Sequence, residues 1–316
     1  MRVVGSVVMG LIVGLIVGCR SDSADAAAAP KGAAVSSRTA DNASVSQGSR
    51  KAQRAARGEV VRGVRGTYSG EPRGEDGRID LERLVEELES VGANTYNFLI
   101  KVGENDWDDV QLFLPMARAR GINVWVTVTC PSKKSRMSQP FGHDYERWAR
   151  ELAELGVREP NLVAWGMDDF SYNNEFFTRR KLKDVLETAR AINPNLAFVP
   201  TVYYKHAVRE GYAEQYKNLF DAVLFPYRAE SSGRGNLADA RRADREIGEM
   251  RAMFGKRVPI ILDVYASRHS KMGDTTPEYV ERVMRVGREH ADGVMVFRHQ
   301  TPGTPKWEIV STSFHE

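Results

Sequence analysis

From residue 58 to residue 316 the sequence alternates short apolar runs, rich in β-branched and aromatic residues, with polar stretches and amphipathic segments of helical length. The runs are Val64–Tyr68, Thr95–Ile100, Asn123–Thr129, Leu162–Met167, Ala197–Tyr203, Ala222–Pro226, Pro259–Val264 and Gly293–Phe297. Between them, apolar residues recur at helical spacing, as in Leu81, Leu84, Val85 and Leu88, or Trp148, Leu152 and Leu155,. Gly92, Gly121 and Gly156, each shortly before the next run, read as helix C-caps,. Strand followed by helix at this regularity predicts parallel βαβ units. Eight of them predict an α/β chain folded as a TIM (β/α)8 barrel, ahead of a doubly wound sheet. After Phe297 about 19 residues remain, with Pro302, Gly303 and Pro305 near their start, so the eighth helix is expected to be short or absent,.

The N-terminal end has a different character. Met1-Arg2 precede an apolar run from Val3 to Gly18, too short for a confident membrane span, and then Cys19,. Ile16-Val17-Gly18-Cys19 resembles a bacterial lipobox, which implies a signal peptide over residues 1–19 and lipidation of Cys19; an ordinary signal peptide or N-terminal anchor is the alternative,. Residues 20–57 hold no aromatic residue and no periodic apolar face, and are expected to form a flexible, disordered tether,. The protein is then expected in the cell envelope, held to the membrane through its N-terminal lipid. Arg20 is not the Asp of an inner-membrane retention signal, so the outer membrane is expected if the bacterium has two. Cys130 is the only other cysteine, leaving no disulfide to hold the domain,. Net charge is +3 with both signs intermixed, which makes no case for nucleic acid,.

In a barrel of this kind the chemistry sits at the C-terminal ends of the strands. The residues there are Tyr68, Lys101, Thr129, Asp168-Asp169, Tyr203-Tyr204, Tyr227-Arg228, Asp263 with Tyr265, and Arg298-His299-Gln300. The fourth run ends in two carboxylates. Adjacent like charges raise one another's proton affinity, which suits one to act as a general acid while the other stays ionised. Helix capping by one Asp and pairing of the other with a cation explain the doublet equally well. Lys101 and Arg228 suit substrate oxygens, and the tyrosines suit the C–H faces of a sugar or a solvated rim. One His at the mouth, His299, with no second His or Cys at ligand spacing, favours a structural role and gives no metal site. No phosphate-cradling loop is present, since Gly233-Arg234-Gly235 lacks a preceding strand, and no cofactor is expected,.

Val64-Arg65-Gly66-Thr67-Tyr68-Ser69-Gly70, then Asn94-Thr95-Tyr96 through Lys101, then Asp168-Asp169, resembles in order the opening of the O-GlcNAcase-type β-N-acetylglucosaminidases, glycoside hydrolase family 84. The resemblance spans roughly residues 60–175. It implies that Asp168 orients and polarises the 2-acetamido group of an N-acetylated amino sugar, whose carbonyl oxygen attacks the anomeric carbon. Asp169 is then the general acid and later the base. The resemblance also implies that Lys101 and the Gly66 backbone hold sugar hydroxyls. At strand seven the family's Trp-Asp-Asn is matched only by Asp263, since Val264 replaces the Asn. The expected protein is an exported, retaining glycoside hydrolase, with Gly66, Tyr68, Lys101, Tyr203, Tyr204, Tyr227, Arg228, Asp263 and Arg298 binding a glycan. A two-carboxylate glycosidase using Asp169 with Asp263, or a non-catalytic lipid-anchored glycan binder, are the alternatives.

Overall fold

The computed structural model describes residues 36–101, 103–132 and 137–316; the expected signal peptide, Cys19 and the first part of the expected tether lie outside them. Eight strands, β1 (Val64–Tyr68), β2 (Thr95–Ile100), β3 (Asn123–Thr129), β4 (Leu162–Asp168), β5 (Ala197–Phe198), β6 (Val223–Pro226), β7 (Ile260–Tyr265) and β8 (Gly293–Phe297), form one parallel sheet in the order β5-β4-β3-β2-β1-β8-β7-β6. The strands are buried on both faces, as expected of a parallel sheet covered by crossover helices,.

The fifth run is the exception. The regular strand stops at Phe198 rather than running to Tyr203, and Pro200, whose carbonyl accepts the Leu224 amide, has no N–H to offer β6,. The chain nevertheless continues beside β4, with Val199 and Thr201 amides donating to the Trp165 and Met167 carbonyls at 2.8 and 3.1 Å. It meets β6 through one parallel bridge, Thr201 to Leu224, with the Val202 amide on the Leu224 carbonyl at 2.9 Å. The result is consistent with an α/β barrel, but the sheet is not closed: β5 and β6 are its two edge strands, and only the isolated bridge and its flanking hydrogen bonds link the segment after β5 to β6.

The helices are α1 (Ser36–Glu59), α2 (Leu81–Ser90), α3 (Asp106–Ala119), α4 (Tyr145–Arg158), α5 (Arg179–Ile192), the short α6 (Tyr204–Ala207) and α7 (Tyr212–Tyr216), then α8 (Ala243–Phe254), α9 (Pro277–His290) and α10 (Pro305–His315). Asp80, Asp144, Thr178, Thr276 and Thr304 cap five of them through side-chain acceptors,. Gly92 and Gly121 take the left-handed backbone expected after a helix, but Gly156 lies inside α4, packed against Asn193 and the Leu162 carbonyl.

Two expectations about the ends are corrected. The eighth helix, α10, is present with 11 residues: Thr304 caps it, Pro305 occupies its first turn, and Trp307, Val310 and Phe314 bury one face,. The stretch expected as a tether is helical from Ser36. Its end docks by charge rather than by an apolar stripe. Arg57 is 5% exposed, with Nε 3.0 Å from Asp221 Oδ2 and Nη1 donating to the Pro194 carbonyl at 2.8 Å. Asp221 also pairs with Arg190 at 3.1 Å and accepts the Phe198 amide.

Candidate active site at the barrel mouth

Alternation along each strand decides what faces the barrel axis. Val64 and Tyr68 of β1, Leu99 of β2, Trp125 of β3, Ala164 of β4, Leu224 of β6, Ile261 of β7 and Met295 of β8 form an inner apolar cluster separate from the one beneath the helices. Counting on in twos places Lys101, Thr129, Asp168, Arg228, Asp263, Tyr265 and Phe297 on the inward register at the C-terminal ends.

Asp169 breaks that alternation. Its φ of 56° is in the left-handed region, an uncommon conformation for a non-glycine residue that Asp tolerates better than most,. The bend starts a short 3-10 turn, Phe170–Tyr172, and leaves Asp169 Oδ1 accepting the Tyr203 hydroxyl at 2.6 Å. Burial is the main reason that the Tyr203 and Tyr265 phenols are held well above the ordinary tyrosine range; the charges of Asp168 and Asp169 add to it at both, and that of Asp263 at Tyr265. Asp168 and Asp169 are each half-buried, so both stand open to solvent at the mouth.

Asp263 lies beneath them, fully enclosed, with Oδ2 accepting the Tyr68 hydroxyl at 2.7 Å. Burial is the main reason its carboxyl is pushed up to about 7; the Asp168 charge adds to this, while the Tyr68 hydroxyl, the Phe297 amide and Arg228 act the other way,. The sign of the consequence follows from an unfolded value near 4. Below about pH 4 both states are protonated and Asp263 costs nothing. As pH rises toward 7 the unfolded chain releases this proton first, so folding stability falls, by on the order of 4 kcal/mol at most. Asp263→Asn keeps an acceptor for Tyr68 and removes the titration. Its melting temperature relative to wild type is therefore expected to rise between pH 4 and 7 and then level off; a pH-independent difference would contradict this account.

The walls are aromatic. Tyr68 and Tyr265 lie edge-on to Phe297 with centroids 5.1 and 5.4 Å away, and His269 sits 4.7 Å from Tyr265. The Arg228 guanidinium lies 3.9 Å over the Tyr203 ring, donates to the Tyr172 hydroxyl at 3.1 Å and pairs with Glu230,. Arg228 is thus positioned at the mouth with its charge already matched. Among the described residues no group of three or more His, Cys, Asp or Glu side chains is arranged to hold a metal ion.

Several expected ligands lie elsewhere. Gly66 is buried mid-strand, two residues short of the mouth, where a Cβ would stand 2.7 Å from the Thr95 carbonyl and 2.8 Å from Met295 Sδ. Its lack of a side chain serves barrel packing. Tyr204 and Tyr227 point outward: the Tyr204 hydroxyl bonds Glu249 of α8, and that of Tyr227 donates to the Asp239 carbonyl at 2.6 Å. Arg298 is exposed and lies against Gly70, on the β8 side of the rim. Lys101, by contrast, stays on the inward register at the end of β2, half-buried, with its amide held by Asp106 at 3.1 Å. His299 also turns away from the axis, clamped between Thr67 Oγ1 and Glu87 Oε2 at 2.9 Å each. Phe297, Tyr172 and Glu230 join the mouth without having been expected. Phe297 was within reach of the alternation of β8, whereas Glu230 arrives through a turn that no strand pattern announces.

No protein-family model matches the chain, and no curated protein matches it in sequence. In solved structures the fold is similar to that of barrels from glycoside hydrolases. Thermotoga maritima Cel5A, solved with cellobiose, is 11% identical over 81% of this chain and 99% of its own, with a TM-score of 0.56. The catalytic domain of the Thermobifida fusca endoglucanase Cel5A is 12% identical over 80% and 92%, also with a TM-score of 0.56. The β-D-glucuronidase of Dictyoglomus thermophilum is 13% identical over 81% of this chain with a TM-score of 0.53, and the present chain spans only 50% of it. These likenesses define the class of fold: an α/β barrel of the kind glycosidases use.

Proposed function

We propose that the protein is a glycoside hydrolase whose working carboxylates are Asp168 and Asp169, acting on an N-acetylated amino sugar by substrate assistance. The observation that carries this reading is the left-handed bend at Asp169, which brings two neighbouring carboxylates to one mouth, both half open to solvent, while Asp263 is sealed below. In this scheme Asp168, on the inward register, orients the 2-acetamido group and stabilises the charge it acquires as its carbonyl oxygen attacks the anomeric carbon. Asp169 gives a proton to the departing oxygen and afterwards takes one from the water that opens the cyclic intermediate. The Tyr203 hydroxyl fixes Asp169 for both steps, and the partly exposed Phe297 ring, backed by the buried Tyr68 and Tyr265, offers an apolar face to the sugar,. The burial of Asp263 argues against its acting as nucleophile in a two-carboxylate mechanism. The similarity of the fold to glucuronidase and endoglucanase barrels supports action on a glycoside, and the N-terminal sequence supports a lipid-anchored enzyme of the cell envelope.

The test is a panel of aryl glycosides with and without a 2-acetamido group. Turnover confined to the acetamido sugars is the expected result. Turnover of plain sugars alone excludes substrate assistance and returns Asp263 to consideration. No turnover, with retention on a glycan array, leaves a sugar-binding barrel.

A further inference from the structure

The face opposite the mouth carries a second site of a different kind. The end of α1 runs beside the approach to β6 and β7: a Cβ on Gly58 would stand 3.4 Å from the Asp221 carbonyl and 3.7 Å from Pro259. Next to this contact is a cavity of about 440 Å3 whose charged lining is Arg50, Lys51, Arg54, Arg62, Arg257 and Glu59. Five cations against one carboxylate leave a formal excess of +4 in the wall, in a chain whose total is +3.

The one acid is already engaged, since Glu59 Oε2 lies 3.3 Å from Arg62 Nε, and Arg62 is matched again by Asp292. Arg54 is spent in part on neutral acceptors, donating to Asn218 Oδ1 at 3.3 Å and to the Phe220 carbonyl at 3.2 Å. Among the described residues Arg50, Lys51 and Arg257 make no ion pair, and all three are exposed. Burial lowers the proton affinity of Arg54; Asp221 partly restores it, and Arg190, Arg57 and Arg257 lower it further. Uncompensated cations around a concave wall are what an anion with several acceptor oxygens satisfies.

We propose that this basic cavity binds the phosphate of an anionic phospholipid headgroup, so that the barrel rests on the membrane by this face with its mouth turned away. The lipid is preferred over free phosphate because the helix that builds the site continues from the N-terminal segment, and Arg50 lies only 31 residues beyond Cys19, the expected point of acylation. That preference rests on the proposed anchor; the anion site itself does not, and neither depends on the glycosidase reading.

Flotation of the full chain carrying Cys19→Ala, with phosphatidylcholine vesicles containing or lacking phosphatidylglycerol, tests it. The apolar N-terminal segment contributes alike to both vesicles, so the difference between them reports the basic face. Binding at least about tenfold tighter to the anionic vesicles is expected, at roughly a factor of five per engaged cation, and about 0.5 M sodium chloride is expected to erase the preference. The triple variant Arg50→Glu, Lys51→Glu, Arg257→Glu is expected to lose it with an unchanged thermal midpoint, because all three side chains are exposed. Equal binding to both vesicles, or a preference that survives the triple substitution, overturns the proposal. Stabilisation of the wild type by millimolar inorganic phosphate without any vesicle preference overturns the lipid in favour of a soluble anion.

Discussion

Asp169→Asn is expected to lower turnover of a 2-acetamido glycoside by about 10²–10⁴-fold, the range lost when a positioned general acid is removed. The substitution is conservative in every respect except the proton. Asn is among the residues that best tolerate the left-handed conformation found here, so the bend with φ 56° is retained,. Its side-chain oxygen still accepts the Tyr203 hydroxyl in place of Asp169 Oδ1. The melting temperature is therefore expected to shift by no more than a few degrees, since the bend and the bond from the buried Tyr203 hydroxyl are both kept,. The leaving group supplies a sharper readout than the rate alone. An acidic phenol departs as its anion and needs no proton, whereas an alkyl or weakly acidic leaving group does. The deficit should consequently be small for nitrophenyl glycosides in the first step and grow as the leaving group becomes more basic. A deficit of equal size across the series would move Asp169 from proton donor to a positioning role, and an undiminished rate would sink the assignment altogether.

What the sequence disclosed about this site and what it concealed have physical reasons. The apolar runs were readable because strands covered on both sides are apolar along their whole length; seven of the eight coincide with the observed strands to within a residue or so. The fifth did not, because its apolar composition persists beyond Phe198, where the regular pairing ends. At the mouth, adjacency was the difficulty. In Tyr203-Tyr204 and Tyr227-Arg228 a strand sends neighbours to opposite faces, and the sequence alone does not say which of each pair faces inward. Leu224 fixes the second pair once it is known to lie in the inner cluster, since Pro226 and Arg228 then follow in register and Tyr227 cannot. Asp168-Asp169 would have been split by the same rule, and only the backbone bend at the strand end reunites the two. The docking of α1 was hidden for another reason. Its anchor is Arg57 on Asp221, a polar contact between residues 164 positions apart, in a segment whose composition resembles that of a tether.

Gly166→Ala is expected to cause the largest loss of stability among single-residue changes at the mouth. Gly166 lies between the inward residues Ala164 and Asp168 of β4, and a Cβ there would stand 2.2 Å from the Val199 carbonyl oxygen and 3.2 Å from its carbon. The obstacle is backbone, so no rotamer change relieves it. Nor can the neighbouring segment retreat cheaply. Val199 and Thr201 are tied to β4 by hydrogen bonds from their amides to the Trp165 and Met167 carbonyls, and the same stretch carries the Thr201–Leu224 bridge between the two edges of the sheet. Pushing Val199 away thus breaks bonds to both β4 and β6 at once. A cost of about 3 kcal/mol or more is expected for forcing an atom into a packed backbone contact, or roughly 6–12 °C in melting temperature for a domain of this size. The site should suffer with the fold, because Tyr203 follows directly on this stretch and its hydroxyl holds Asp169; residual activity of the folded fraction should fall as well. Gly248→Ala is the matching control. Gly248 is exposed in the middle of α8 with no atom within 4 Å of where its Cβ would stand, and Ala there should be neutral or stabilising by up to about 1 kcal/mol through helix propensity,. Equal melting temperatures for the two alanine variants would mean that the chain after β5 is free to move away from β4, and with it the support of Tyr203.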